Sequence, residues 1–332
     1  MIAAVLGTGA WGTTFAQVLA DAGCTVRLWG RDAAVAARIT TDHVNDKYLP
    51  GIVLPDAITA TTDVRAALEG VDLVVVAIPS QSARATLEPL RTLVPEHAVA
   101  VSLMKGVELS TDQRMSEVVA HALGIDDSRV AVVSGPNLAG EIALRQPTAT
   151  VVSSTDPATA ALVAQACSSG YFRPYTNSDV VGVELCGAVK NVIALAVGMA
   201  QGRGFGYNTT ATVITRGLAE IARLGLALGA DAETFPGLAG MGDLMATCAS
   251  PSSRNHTLGK HVGQGMTLDD AIAATGGTAE GVKSCRSVLE LARSVGVEMP
   301  ITAAVVAVLH EGLPVVDMAR GLLARPQKAE GL

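Results

Sequence analysis

The chain has 332 residues, 49% of them hydrophobic but only 3% aromatic, with a formal net charge of −7. That length exceeds what one core ordinarily fills, so two domains are expected, with cores of Ala, Val, Leu and Ile. The mild acidity and the lack of a basic block exclude nucleic acid as a partner. No apolar run approaches the roughly 18 residues that span a bilayer, the richest being 192–200.

The first residues, Met1-Ile-Ala-Ala-Val-Leu-Gly7-Thr-Gly9-Ala-Trp11-Gly12, run an apolar strand into G-x-G-x-x-G, and an amphipathic helix is expected over 13–22. A dinucleotide-binding βα turn requires this order. Gly7 permits the tight turn, Gly9 lets the backbone approach a pyrophosphate, and Gly12 lets helix pack on strand. The helix N-terminus then faces the phosphates. Residues 24–30 read as the second parallel strand, and at its end Arg31 precedes Asp32. A carboxylate there binds a ribose 2′-hydroxyl, whereas an arginine accepts a 2′-phosphate. Arg31 therefore favours NADPH, with NADH as the alternative. Asp32 also reads as the N-cap of a helix over 33–39.

Residues 41–55 form a polar, irregular connection, and 63–69 a short helix. The run V-D-L-V-V-V-A-I over 71–78 suits a strand covered on both faces, stopping at Pro79-Ser80. A helix over 82–93 and a strand over 98–103 lead to Met104-Lys105-Gly106. A lysine at the carboxyl end of a parallel strand points to where ligands bind; the alternative is a solvated loop lysine. A helix over 111–123 and a strand over 129–133 follow, ending at Ser134-Gly135-Pro136-Asn137. A strand over 148–153, a helix over 157–167 and an edge strand over 172–176 complete the first domain, residues 1–177. This is an α/β, Rossmann-like domain with a mostly parallel sheet.

After Asn177 strand signals cease, and residues 178–332 read as an all-α domain. A long helix, capped by Ser178 or Asp179, runs to about Met199, with Gly182, Gly187 and Gly198 allowing close packing. Its small apolar stripe, Val183, Cys186, Gly187, Ala194 and Val197, includes Lys190. A lysine so placed is paired, or desolvated with a lowered pKa, which suits proton transfer near neutral pH. The alternative is a lysine snorkelling from the edge of the stripe. A flexible loop over 202–206 and a helix over 208–228 precede a glycine-rich turn, 235–243, that carries Asp243. In Ser250-Pro-Ser-Ser-Arg254-Asn255-His256 a helix begins with Ser252 or Ser253 as its cap. Its free N–H groups and the Arg254 guanidinium make a phosphate site; an ordinary capped helix with a surface arginine is the alternative. Helices over 267–275, 280–295, 301–311 and 315–324 follow, with Glu280 beside a mobile Gly276-Gly277 turn and a frayed tail over 325–332.

The five cysteines are scattered, odd in number and without a CxxC pair, so reduced, buried thiols in a cytoplasmic protein are expected. The absence of a basic n-region before the first strand agrees. Only His256 and His261 lie close together, at a spacing unlike that of a zinc helix, so no metal site is expected.

The order G-x-G-x-W-G, K-G after a strand, G-P-N, K-N on a long helix, G-D and S-R-N resembles the NAD(P)-dependent glycerol-3-phosphate dehydrogenases of the bacterial biosynthetic type. The resemblance runs from residue 1 to roughly 320 and includes "VKNVIALAVGM", "GLAGMGDL" and "SSRNHTLG". It implies reversible reduction of dihydroxyacetone phosphate to sn-glycerol 3-phosphate with NAD(P)H, feeding glycerophospholipid synthesis, by a homodimer. It places the proton donor on Lys190 and the second active-site lysine on Lys105. Substrate contacts then fall on Lys105, Gly135, Asn137, Lys190, Asp243, Ser253, Arg254 and Asn255. Cofactor contacts fall on Gly7, Gly9, Trp11, Gly12, Arg31, Lys105, Ala139, Arg254 and Glu280. The family commonly has Gly-Pro-Ser-Phe-Ala where this chain has Gly135-Pro136-Asn137-Leu138-Ala139. Two other readings compete. One is a sister dehydrogenase acting on another hydroxy acid or sugar phosphate. The other is a nucleotide-sensing protein without catalysis.

Overall fold

The computed structural model describes residues 1–109, 111–276 and 279–326. Gly277 and the end of the expected frayed tail lie outside the described residues. The chain forms two compact units, one of Met1–Met104 with Met115–Val180 and one of Lys105–Arg114 with Val181–Leu332. A single boundary at 177/178 does not describe this grouping. Residues 105–114 group with the second unit because Val107 is buried in that unit's core.

In the first unit, β1 (Ile2–Leu6) leads to α1 (Ala10–Asp21), which starts inside the glycine motif rather than at residue 13. Then come β2 (Thr25–Trp29), α2 (Ala33–Thr41), β3 (Ile58–Thr61), α3 (Val64–Leu68), β4 (Leu73–Val76), α4 (Ala83–Leu87) and β5 (Val99–Ser102). They are followed by α5 (Met115–Leu123), β6 (Val130–Ser134), α6 (Ala139–Ala143), β7 (Thr148–Ser153), α7 (Pro157–Cys167) and β8 (Phe172–Asn177). The strand order is β3-β2-β1-β4-β5-β6-β7-β8. Every pairing is parallel except β6 with β7. The order reverses between β1 and β4, which is where open parallel sheets bind ligands. β1, β4 and β5 are almost wholly buried, as strands covered by helices on both faces must be.

Two expected helices differ, and one strand lay outside the expectations. The helix over 82–93 is only α4 followed by a 3-10 turn through Pro89, because proline cannot donate to a helical ladder. The helix expected from 111 begins at Met115. Strand β3 was not expected, since of I-T-A-T only Ile58 is buried.

The second unit holds α8 (Val180–Gly202), α9 (Tyr207–Ala227), α10 (Asp243–Ala249), α11 (Arg254–Gly263), α12 (Leu268–Ala274), α13 (Glu280–Ser294), α14 (Pro300–His310) and α15 (Val315–Leu323). The expected glycine-rich turn contains a π-helical turn, Leu238–Gly242, that feeds α10. By length and composition α8 could cross a membrane, contrary to the short apolar run read from the sequence. Its most apolar window has mean hydropathy 1.9, yet 94% of that window is buried inside the protein. It is the core helix of this unit. A Cβ on Gly198 would lie 2.1 Å from the His256 carbonyl oxygen, and one on Gly259 2.2 Å from that of Leu195. Thus α8 and α11 pack backbone to backbone. All five cysteines are free and buried.

Candidate active site

The predicted residues fall into two sets, one in each unit. In the first, Gly7 takes φ +127° at the end of β1, and a Cβ there would meet the Ala77 carbonyl oxygen at 2.3 Å. A Cβ on Gly12 would meet the Gly7 carbonyl oxygen at 2.1 Å. These two glycines are required by packing. Gly9 differs: nothing lies within 4 Å of its Cβ position, and as N-cap of α1 it carries no side-chain cap. The backbone at Gly9 can thus be approached closely, and the uncapped first N–H groups of α1 are the donors that a pyrophosphate cradle needs. Asn45 secures the turn by donating to the Thr8 carbonyl at 2.9 Å and to Thr13 Oγ1 at 2.8 Å. Trp11 is half-buried and packs edge-on against Phe15, with ring centroids 5.6 Å apart, so part of its surface does serve the core.

At the end of β2, Arg31 is exposed. Asp32 is occupied elsewhere. One oxygen accepts from Ala34 and Val35 N–H, and the other pairs with Lys47 at 2.9 Å. The Lys47 hydrogen bond and the capped N–H groups hold the Asp32 carboxyl below its usual range. The capping role read from the sequence thus exists, and it leaves Arg31 as the outward-facing group. At the end of β6, Gly135 has φ +146°, and Asn137 Nδ2 donates to Thr150 Oγ1 at 2.9 Å. Among the described residues, the buried Asn137 Oδ1 has no hydrogen-bond partner. Ala139 begins α6, and its carbonyl accepts from Thr14 of α1 at 3.2 Å.

In the second unit the structure brings three predicted residues into direct contact. Lys105 Nζ bonds Asp243 Oδ2 at 2.6 Å, and Lys190 Nζ bonds Asp243 Oδ1. Asp243 stands in the first turn of α10, where the helix dipole favours a carboxylate. Its side chain is 2% exposed, that of Lys190 8% and that of Lys105 16%. Lys190 also donates to Thr247 Oγ1 at 2.7 Å. Burial pushes the Lys190 pKa down to about 7, with Asp243 pulling it up and Lys105 pushing it further down. Burial pushes the nearby Cys248 thiol up to about 12, which keeps it protonated and inert.

The remaining predicted residues surround the start of α11. Ser253 is its N-cap and accepts from His256 N–H at 3.3 Å. Arg254 is the first helical residue and exposed. Asn255 is buried, donating to Asn191 Oδ1 at 3.0 Å and accepting from Gly281 N–H at 2.9 Å. Glu280 is the first residue of α13. Asn191 follows Lys190 and Asn255 follows Arg254, so this amide pair ties the lysine helix to the arginine turn. Sequence reasoning missed Asn191, Thr247 and Asn45. The Asp243/Thr247 spacing of four residues was the available signal, once residues 243–249 are known to be helical.

Hydride transfer to a carbonyl needs a dinucleotide cradle and a proton donor shielded from water, and this chain carries both. Those two parts define the class of nicotinamide-dependent dehydrogenases. Residues 2–160 match the family model described as NAD-dependent glycerol-3-phosphate dehydrogenase N-terminus, and residues 179–320 match its C-terminus. The chain belongs to the NAD-dependent glycerol-3-phosphate dehydrogenase family. It is 58% identical, over 99% of its length and 98% of the relative's, to a protein of Streptomyces griseus named glycerol-3-phosphate dehydrogenase, NAD(P)+. A protein of the same name from Thermobifida fusca is 57% identical, with 98% of each chain covered. A glycerol-3-phosphate dehydrogenase structure from Coxiella burnetii superposes with TM-score 0.92 at 37% identity, covering 98% of this chain and 99% of that one.

Proposed function

We propose that this enzyme reduces dihydroxyacetone phosphate to sn-glycerol 3-phosphate, reversibly, supplying glycerophospholipid synthesis. The observation that carries the reading is the buried Lys190 ammonium, held with Lys105 on one carboxylate. When bound, the nicotinamide supplies a hydride to the ketone carbon. Lys190 stabilises the negative charge that develops on the carbonyl oxygen and then gives it a proton; in the reverse direction it accepts that proton. Asp243 and Thr247 fix the direction of the Lys190 ammonium, so no reorganisation accompanies the transfer. Lys105 holds substrate and cofactor and, by its charge, keeps Lys190 able to release its proton near neutral pH. Arg254, with Ser253 and Asn255 at the start of α11, anchors the phosphate, and that remote anchor orients the ketone. Gly135 and Asn137 add substrate contacts.

The first unit serves as the NAD(P)-binding domain and the second as the substrate and catalytic domain. Gly7, Gly9, Trp11, Gly12, Arg31 and Ala139 serve the dinucleotide from the first unit, and Lys105, Arg254 and Glu280 from the second. Arg31 selects NADPH, while NADH serves as the weaker cofactor. The enzyme works in the cytoplasm as a homodimer. The test is an absorbance assay with dihydroxyacetone phosphate and each reduced cofactor in parallel, run beside a panel of other ketones. Oxidation of NADPH with dihydroxyacetone phosphate is expected. Turnover of another ketone, and none of this one, would replace the substrate assignment.

A further inference from the structure

Lys105 reaches Asp243 from the foot of a short hairpin. Val107 and Arg114 form its antiparallel bridge, and Glu108 N–H bonds the Gln113 carbonyl at 2.9 Å. Thr111 Oγ1 donates to the Glu108 carboxylate at 2.6 Å. One strand is anchored by Val107, buried in the second unit's core, whose carbonyl accepts from Ser287 Oγ at 3.2 Å. The other strand is anchored by Arg114, which donates to Glu184 on α8 at 3.2 Å. The Glu184 side chain is 3% exposed and that of Arg114 20%. Taking such a pair out of water is expensive, so a pair of this kind is weak evidence of added stability. Glu184 and Lys190 lie on one straight helix, about 9 Å apart along its axis at about 1.5 Å per residue.

We infer that the Arg114–Glu184 ion pair is a positioning pair for Lys105. It ties the hairpin to the helix that carries Lys190 and so holds the Lys105 ammonium on Asp243. Without that tie the hairpin shifts relative to α8, and Lys105, two residues from Val107 on the same strand, swings off the carboxylate. A displacement of about 1 Å at a catalytic group is enough to slow turnover by orders of magnitude.

The first variant is the double replacement Arg114→Met with Glu184→Gln, which removes both charges of the pair at once. Arg114→Lys keeps the charge and is the variant of choice if the double replacement does not fold. Two readouts are used. Acylation of Lys105 by a small amine reagent, followed by peptide mass spectrometry, does not depend on the proposed reaction. The pH profile of kcat/KM for ketone reduction rests on it. Lys190 faces Asp243, Thr247, Lys105 and Cys248. Losing the Lys105 charge raises its pKa, so the midpoint should move to higher pH. We expect Lys105 to be acylated about fivefold faster or more, and kcat/KM to fall about tenfold or more. Arg114→Lys should move both in the same direction by less. In a Lys105→Met background the double replacement should shift the midpoint no further. Wild-type acylation and an unshifted midpoint in whichever variant folds overturn the inference. Absence of dihydroxyacetone phosphate turnover in the wild type would instead remove the proposed function and leave the acylation test standing.

Discussion

Replacing Asp243 with asparagine removes the carboxylate that Lys190 and Lys105 share while keeping its shape and one acceptor. Lys190 then stays buried beside a like charge and loses the anion that raises its pKa. Removing an adjacent opposite charge lowers an amine by roughly 1–3 units, each unit being about 1.4 kcal/mol. From about 7 in the native enzyme, the midpoint should fall to roughly 4–6. Above the midpoint, each unit of depression removes about tenfold of the ammonium form. The charge state alone should therefore reduce kcat/KM for ketone reduction by about tenfold to about a thousandfold. The assay is initial-rate oxidation of NADPH with dihydroxyacetone phosphate, from about pH 5 to about pH 9. Reduction needs the ammonium, so wild-type kcat/KM should decline as pH rises through about 7. The variant should decline at lower pH and regain activity on acidification. A midpoint that stays in place, or moves to higher pH, refutes the view that Asp243 maintains the Lys190 charge.

Lys190→Ala should keep its affinity for NADPH in isothermal titration and lose about 10²–10⁴-fold in kcat; near-normal turnover would sink the mechanism. Arg31→Ala should weaken NADPH about tenfold to a hundredfold, the worth of a charge-assisted hydrogen bond, and leave NADH nearly unchanged. An equal loss for both cofactors means that Arg31 does not read the 2′-phosphate. Glu220 of α9 is buried and accepts Ile301 N–H at 2.5 Å and Thr302 N–H and Oγ1 at 3.2 Å. Burial outweighs those bonds and pushes its pKa from 4.5 up to about 7. The folded chain thus holds this proton more tightly than the unfolded chain. Its contribution to stability is full below about 4.5 and is lost as pH rises through about 7. Glu220→Ala should reduce stability by about 2–4 kcal/mol through the unsatisfied N–H groups at the start of α14. It should also flatten the decline across that window in scanning calorimetry; a pH dependence identical to wild type would contradict the assignment.

Local backbone requirements were readable from the sequence; tertiary partnerships were less so. Gly7 and Gly12 announced themselves because each has a carbonyl oxygen within 2.3 Å of any Cβ, and Gly7 a positive φ as well, which exclude other residues. Lys190 was visible as a charge on an apolar stripe. Its neighbour Thr247 was hidden, because G-L-A-G-M-G reads as a turn and conceals that a helix starts at Asp243. Gly240 sits there because its Cβ would lie 2.1 Å from the Phe235 carbonyl oxygen, a packing reason rather than a turn. Lys105 was placed correctly at a strand end, yet its grouping with α-helical neighbours depends on Val107 and Arg114, which carry no motif. Likewise Asn45, in the segment read as irregular, holds the glycine turn through two hydrogen bonds that no periodicity predicts.

The two tryptophans of the chain, Trp11 and Trp29, both belong to the first unit. Trp11 lies on Phe15, and Trp29 Nε1 donates to the Thr62 carbonyl at 3.1 Å. Indole emission during denaturation therefore follows the cradle unit alone, whereas far-ultraviolet ellipticity is weighted towards the long helices of the second unit. Recorded on one sample, the two signals weight the two units differently, with no added label. Their coincidence or separation measures whether the two units melt as one cooperative body.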